Sequence, residues 1–307
     1  MSEVQHAVHR PGPWSSRRGP RCRRGRLLLT AVLVVLLVLG GLLLARWLLG
    51  RQAVGTLTVP EGQRAGQIYA AADKALKVPA GSTARAARSA HLTLPDDAHG
   101  NPEGYLFPAT YPLRSDTTPA SLLSYMVRTA RGHLADRGVS SYRTVVIASI
   151  VQAEADRPAD MGKVARVITN RLDHHMPLQM DSTLNYALGR STLRTSHADT
   201  RINSPYNTYR NQGLPPTPID SPGADALRAA GAPPAGDWLY FVTVTPGDTR
   251  FTADYQRHLS NVREFNRRQR DEPSGGAMSG GGASSGGASG GGGSASGGAG
   301  TASGGGA

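Results

Sequence analysis

Glu154 closes the stretch Ala148-Ser149-Ile150-Val151-Gln152-Ala153-Glu154, an apolar run that ends in a carboxyl group. On a helix the positions three and four residues back share its face, here Val151 and Ile150, with Ile147 a further turn back. A carboxyl on such a stripe has two readings. It sits in the last turn and bends into water, as most helical glutamates do. Alternatively it is held out of water, where the charged form is disfavoured and the pKa rises into the range a general acid needs. The pattern alone favours the solvated helix end. Gln152 points elsewhere, toward the side of Ala148 and Ser149, and has no acid proton to give. Asp156 lies beyond the apolar run.

Two further groups of residues have chemical potential. Asn170-Arg171 is followed by Met176-Pro177-Leu178-Gln179-Met180-Asp181-Ser182-Thr183, which brings hydroxyl, amide and carboxylate groups together. Such groups suit sugar hydroxyls and equally suit turn capping. Ser204-Pro205-Tyr206-Asn207-Thr208-Tyr209, with Gly213-Leu214-Pro215-Pro216, offers aromatic faces and amides fit for a glycan groove or for a rigid loop packed on itself. Other chemistries are excluded. His174-His175 are adjacent and do not face one ion together, and there is no HExxH, phosphate loop or G-x-S-x-G elbow. No metal or cofactor is expected. His258 reads as a surface or structural residue.

These residues need elements to hold them. Thr56–Val59 reads as a short strand before a Pro60-Glu61-Gly62 turn, and Ile68–Leu76 as a short helix, within a small α+β module over about 52–100. Glu103–Pro108 and Tyr111–Leu113 are extended and broken by proline. Thr118-Pro119 caps a helix carrying Leu122, Leu123, Met126, Ala130 and Leu134, with Gly138 at its exit. A second helix starts near Ser141 and reaches Glu154. Pro158 opens a third with a stripe of Met161, Val164, Ala165, Ile168 and Leu172. Residues 174–223 read as irregular, and long loops of this kind in compact domains are functional or disordered. Trp238–Val244 is a buried strand turned by Thr245–Asp248 into Arg250–Thr252, and an amphipathic helix with Tyr255, Leu259, Val262 and Phe265 ends the domain.

The 307-residue chain carries a net charge of +12, which invites a nucleic-acid reading. The placement of that charge argues against it. Residues 1–51 hold nine arginines against one glutamate, so +8 of the +12 lies there. Residues 27–45 follow without a single charge, long enough for a membrane-spanning helix, which we place at 27–49. Seven of the arginines precede it and two follow, so the positive-inside rule puts residues 1–26 in the cytoplasm and the large domain outside. Arg46-Trp47-Leu48-Leu49 is no small-residue cleavage site, so the span is read as an uncleaved anchor in the lipid bilayer. The only cysteine, Cys22, falls on the cytoplasmic side. Residues 273–307 are almost wholly Gly, Ser and Ala, a composition that stays disordered. The remaining 220 or so residues suit one mid-sized domain plus a small one.

Taken in order, the motifs resemble the YceG-like family of endolytic murein transglycosylases. The resemblance rests on Glu103–Tyr111 (E-G-Y-L-F-P-x-T-Y), Ala148–Glu154 (A-S-I-V-x-x-E), Val167–Leu172 (V-x-x-N-R-L) and Met176–Thr183 (M-x-L-Q-x-D-x-T). It continues through Tyr206–Tyr209, Gly213–Ile219, Pro222-Gly223 and Leu239–Val242, and covers about residues 52–268. Each motif alone is weak; the ordered set is specific. Ala109 and Ser182 depart from it, where the family often has Asp and Pro.

The resemblance implies a LysM-like module at 52–100 ahead of a mixed α+β catalytic domain at 101–272. It implies internal cleavage of peptidoglycan glycan strands at the MurNAc–GlcNAc bond. It assigns the catalytic acid/base to Glu154, because the motif's other frequent glutamate is Gln152 here. Gln179, Asp181, Asn207, Tyr209, Glu103 and Asn170 are then the candidates for holding glycan or orienting Glu154. Cell-wall synthesis proteins are candidate partners. The alternative is a non-catalytic peptidoglycan-binding scaffold that recruits such proteins.

Overall fold

The computed structural model describes residues 32–45, 53–190 and 195–271, and the chain divides into two units, 1–52 and 53–307. In the first unit residues 32–45 form helix α1, exposed along its described length. The rest of the span expected at 27–49 lies outside the described residues, as do the basic segment 1–26 and the tail 273–307. Among the described residues no helix is long and apolar enough to cross a membrane.

The second unit is mixed α+β. It begins with β1 (Ala53–Thr58), α2 (Ala65–Leu76) and α3 (Ser82–Ser89). Next come β2 (Thr110–Arg114), α4 (Pro119–Asp136), α5 (Tyr142–Glu154) and α6 (Pro158–Asp173). It ends with α7 (Asp181–Ala187), α8 (Ala224–Gly231), β3 (Tyr240–Thr245), β4 (Asp248–Thr252) and α9 (Tyr255–Asp271). Its strands form two antiparallel pairs, β1 with β2 and β3 with β4.

The first pair sets Leu57 opposite Tyr111 and Gly55 opposite Leu113, and the three large side chains are buried. The module expected over 52–100 therefore takes its second strand from residues 110–114, beyond that range. Within it, Asp73 near the end of α2 accepts hydrogen bonds from Thr83 N, Thr83 Oγ1 and Gly81 N, which fixes the start of α3. The sequence pattern did not show α3, whose Ala, Arg and Ser residues leave almost no apolar stripe.

Thr118 caps α4 as its sequence requires, exchanging hydrogen bonds with Ser121, and Gly138 takes the left-handed conformation at the exit (φ +65°). Helix α5 is different in kind. Every residue from Val145 to Val151 is buried, so it is apolar all round and lies in the middle of the core, against α6, α7 and α8. That is why the face carrying Glu154 is not a solvent face.

Among its described residues, the segment expected to be irregular, 174–223, contains α7 and a single 3-10 turn at Asp199–Arg201. With seven residues α7 is too short to display a helical period. The rest of the segment is ordered by its contacts. Ser149 Oγ accepts from Ile219 N (3.0 Å) and Gln152 Oε1 accepts from Gly223 N (2.9 Å), so residues 219–223 lie along one side of α5. Gln152 thus caps the start of α8, whose N-cap residue is Gly223.

Gly104 sits in this junction with φ +81°, and a Cβ there would lie 2.6 Å from the Pro218 ring and 3.1 Å from Val145. Gly104→Ala combines backbone strain with overpacking, and we expect a loss of about 2–4 kcal/mol. Gly66→Ala, in α2 where a Cβ meets nothing within 4 Å, should gain about 0.5–1 kcal/mol. Urea midpoints of the two variants check both signs.

Candidate active site

Glu154 is the last residue of α5 and is 4% exposed. The solvated helix end that its pattern favours is therefore not what forms. Its Oε1 accepts hydrogen bonds from Ser182 Oγ at 2.6 Å and from Ser182 N at 3.3 Å, both from the first turn of α7. Burial pushes its pKa from the usual 4.5 to about 7, with neighbouring Asp181 adding to the rise. The Ser182 hydrogen bonds and the Arg171 cation oppose that rise. The group is a carboxylic acid poised to give and retake a proton near neutral pH.

The walls around it come from three elements. Asp181 starts α7, is 7% exposed and accepts from Tyr209 Oη at 2.5 Å. Burial raises its pKa and the tyrosine bond lowers it. Tyr209 in turn donates its backbone N–H to Asn207 Oδ1. Asn207 is fully buried, and its Nδ2 donates to Thr200 O and Ile202 O. The 200–209 loop is thereby folded around one amide. Gln179 has a left-handed backbone (φ +52°) and donates its N–H to Thr208 O, which turns the chain into α7. Arg171, buried on α6, donates from Nε to Leu239 O and from Nη1 to Leu178 O, and its guanidinium lies over the Tyr240 ring. One cation so ties β3 to the chain leading into α7 and sets a positive charge near Glu154.

A third buried carboxyl, Glu103, is met by Tyr186 one turn further along α7. Glu103 Oε2 accepts from Tyr186 Oη (3.1 Å) and Oε1 from Ala65 N (2.8 Å) at the start of α2. Burial raises its pKa to about 7 as well. Asp220 lies nearby, fully enclosed, its pKa driven well up by burial and by the Glu103 charge. Its Oδ1, with Gln63 Oε1 and Ser221 Oγ, is a buried oxygen with no hydrogen-bond partner. Elsewhere, a cavity of about 550 Å³ is lined by Arg250, Phe251, Thr252, Arg257 and Asn261. Arg250 is already paired with Asp248 and Glu264, which leaves that cavity without a strong anion claim.

The structure brings Glu154, Asp181 and Tyr209 together and places Gln179 on the same loop. Three of the residues expected to hold glycan are committed to the protein instead. Asn207 is enclosed, with both halves of its amide on backbone. Asn170 Nδ2 donates to Gly236 O and Trp238 O. Glu103 caps α2. Their motif positions are close in sequence to polar loops, but their side chains turn inward because backbone groups there need partners. Ser182 and Arg171 fall within the polar group noted over 170–183 but had no role of their own there, and Tyr186 was not singled out. Ser182 was legible in principle, since it immediately follows Asp181 in the turn that opens α7. His258 is structural, 2% exposed and stacked on Tyr240. Among the described residues no group of three or more His, Cys, Asp or Glu is placed to hold a metal ion.

The YceG-like family model matches residues 41–264. The chain belongs to the YceG-like family. Its relatives include a Bacillus subtilis (strain 168) protein named endolytic murein transglycosylase, 39% identical over 164 residues, covering 51% of this chain and 46% of that protein. One of the same name from Streptococcus pneumoniae is 37% identical over 175 residues, covering 53% of this chain and 32% of that protein. The chain thus spans less than half the length of these curated relatives. A crystal structure of a yceG-like protein from Listeria monocytogenes superposes with a TM-score of 0.58 at 30% identity, covering 67% of this chain and 75% of that one.

The raised pKa of Glu154 fixes the sign of a stability effect. The folded state holds this proton more tightly than the unfolded chain, so stability falls as pH rises from about 4.5 to about 7. Glu154→Gln keeps an acceptor for Ser182 and has no proton to lose. Its melting temperature should match wild type near pH 4, exceed it progressively up to pH 7 and hold a constant lead above. Thermal melts across that range give the comparison.

Proposed function

We propose that this chain is a membrane-anchored endolytic peptidoglycan lytic transglycosylase, cutting the MurNAc–GlcNAc bond of nascent glycan strands and leaving 1,6-anhydroMurNAc ends. The observation that carries this reading is Glu154, a carboxyl kept out of water and titrating near 7, in a family whose matched relatives bear that activity in their names. A glycosidase that uses water commonly needs two carboxyl groups flanking the bond. Here Asp181 is occupied by Tyr209, and Glu103 is bound to Ala65 N and Tyr186.

One carboxyl suffices for a transglycosylase. Glu154 protonates the glycosidic oxygen as the C1–O bond breaks, and the MurNAc N-acetyl group supports the developing positive charge. The resulting carboxylate takes the proton of the C6 hydroxyl as that oxygen closes on C1. Proton and carboxyl are restored, and no water is consumed. Asp181, Tyr209 and Gln179 are the groups we assign to the glycan side of the acid.

The rest of the proposal concerns placement. Residues 27–49 anchor the chain in the cell membrane with the N-terminus cytoplasmic, residues 52–100 act as a LysM-like module, and residues 101–272 carry catalysis outside the membrane. Cell-wall synthesis proteins are the partners.

Mass analysis of muropeptides after digestion should show anhydro ends, one water lighter than hydrolysis products. Glu154→Gln should lower their yield by at least ~100-fold, the usual scale of a lost acid/base catalyst. Hydrated ends would make the protein a hydrolase. A folded, inactive Glu154→Gln protein that still supports growth would favour a scaffold. Removing residues 1–51 should move the protein from the membrane to the soluble fraction; retention there would overturn the anchor.

A further inference from the structure

We propose that Ser182 is a positioning residue that decides which oxygen of Glu154 carries the transferable proton: both of its donors fall on Oε1, so the proton resides on Oε2. This rests on the reading of Glu154 as acid and base.

The geometry is asymmetric. Oε1 receives the Ser182 hydroxyl at 2.6 Å and the Ser182 N–H at 3.3 Å. Oε2 accepts no hydrogen bond among the described residues, and it is not one of the buried oxygens left without a partner. A proton placed on Oε1 would have to turn the Ser182 hydroxyl into an acceptor and would still face the Ser182 N–H, which can only donate. A proton on Oε2 leaves Oε1 as the carbonyl oxygen, a good acceptor for both. When Oε2 gives its proton to the leaving sugar oxygen, the new negative charge is held at Oε1 by the same two donors, now charge-assisted. Oε2 is then the base that takes the C6 proton. Ser182 thus keeps one oxygen as an anchor and leaves the other to do both transfers.

The remaining charged and titratable groups facing Glu154 do not make this choice. Asp181, beside Ser182 on α7, opposes ionisation; Arg171, from α6, favours it. Tyr209, from the 200–209 loop, spends its hydroxyl on Asp181. None of them hydrogen-bonds either oxygen among the described residues. Only Ser182 separates Oε1 from Oε2.

Ser182→Ala removes the hydroxyl in a helical first turn that tolerates alanine, and Ser182→Thr retains it. With glutamate labelled at the side-chain carboxyl carbon, and Glu154→Gln used to assign the signal, the Glu154 titration midpoint should rise by roughly one to two pH units in Ser182→Ala, the scale of one hydrogen bond to a charged group. It should return in Ser182→Thr. The protonated C=O stretch, assigned by infrared difference against Glu154→Gln, should move to higher wavenumber in Ser182→Ala alone, because its carbonyl loses a donor. On murein, kcat should fall about tenfold with KM unchanged, a factor set by the same lost hydrogen bond. An unmoved midpoint and stretch in Ser182→Ala, or equal shifts in Ala and Thr, would overturn the proposal. Both spectroscopic readouts are independent of turnover. Hydrated products from wild type would sink the transglycosylase reading while leaving this assignment standing; anhydro products with no spectral change would do the reverse.

Discussion

Keeping one carboxyl out of water is the constraint to which the rest of the domain answers. Burying an ionisable group is costly, and the folded protein bears that cost only where packing is otherwise dense and polar neighbours are fixed. Helix α5 meets the first condition by being apolar on every side from Val145 to Val151, enclosed by α6, α7 and α8. The second is met from the other direction. The first turn of α7 supplies Ser182, and Arg171 locks the approach to that turn by donating to Leu178 O while it grips Leu239 O just before β3. Acid, capping hydroxyl and nearby cation are each carried by a separate helix. Their spacing is set by core packing rather than by any single loop.

The same logic explains Gln152. It lies two residues before Glu154 and points to another side of the helix, where it accepts from Gly223 N and holds the 219–223 segment against α5. Its neutral amide serves there without adding a second negative charge beside a group whose charged form is already disfavoured. The buried oxygens around Asp220 show the opposite balance. Asp220, Gln63 and Ser221 each keep an unpaired oxygen where residues 61–64 meet 219–223. Natural proteins keep such groups sparingly, and here they lie close to Glu103, itself a carboxyl raised by burial.

Much of this was legible in the sequence, and the exceptions have physical causes. Strong local signals held: Thr118-Pro119 capped its helix, Gly138 ended it, Pro158 opened the next, and the apolar run Trp238–Val244 gave a strand, starting two residues later at Tyr240 and turned by Gly247. The mixed α+β class came with the resemblance that the ordered motifs carry, and the structure has it. Short helices were lost because seven or eight residues do not establish a period, as with α3 and α7. The burial of Glu154 was invisible to periodicity, since α5 has no polar face for contrast and its enclosure is a tertiary fact. The ordered motifs corrected that reading. They could not say which polar residues turn inward. Asn207 and Asn170 look like ligand-binding amides in a list of motifs, yet Asn207 satisfies carbonyl oxygens within its own loop and Asn170 satisfies two more than sixty residues away.

The pairing of β1 with β2 bears on the order in which this domain comes together. Thr58 and Thr110 face each other across 52 residues of chain, so the first strand waits for a late partner. Non-local pairings of this kind must close a long loop before any contact rewards the closure, and they slow folding. As the polypeptide emerges N-terminus first, β1 is an unpaired edge until residue 114 is out. Glu154 waits longer still, for Ser182 and the 200–209 loop. Its elevated proton affinity belongs to the finished domain alone; until the domain closes, the side chain is an ordinary carboxyl in water.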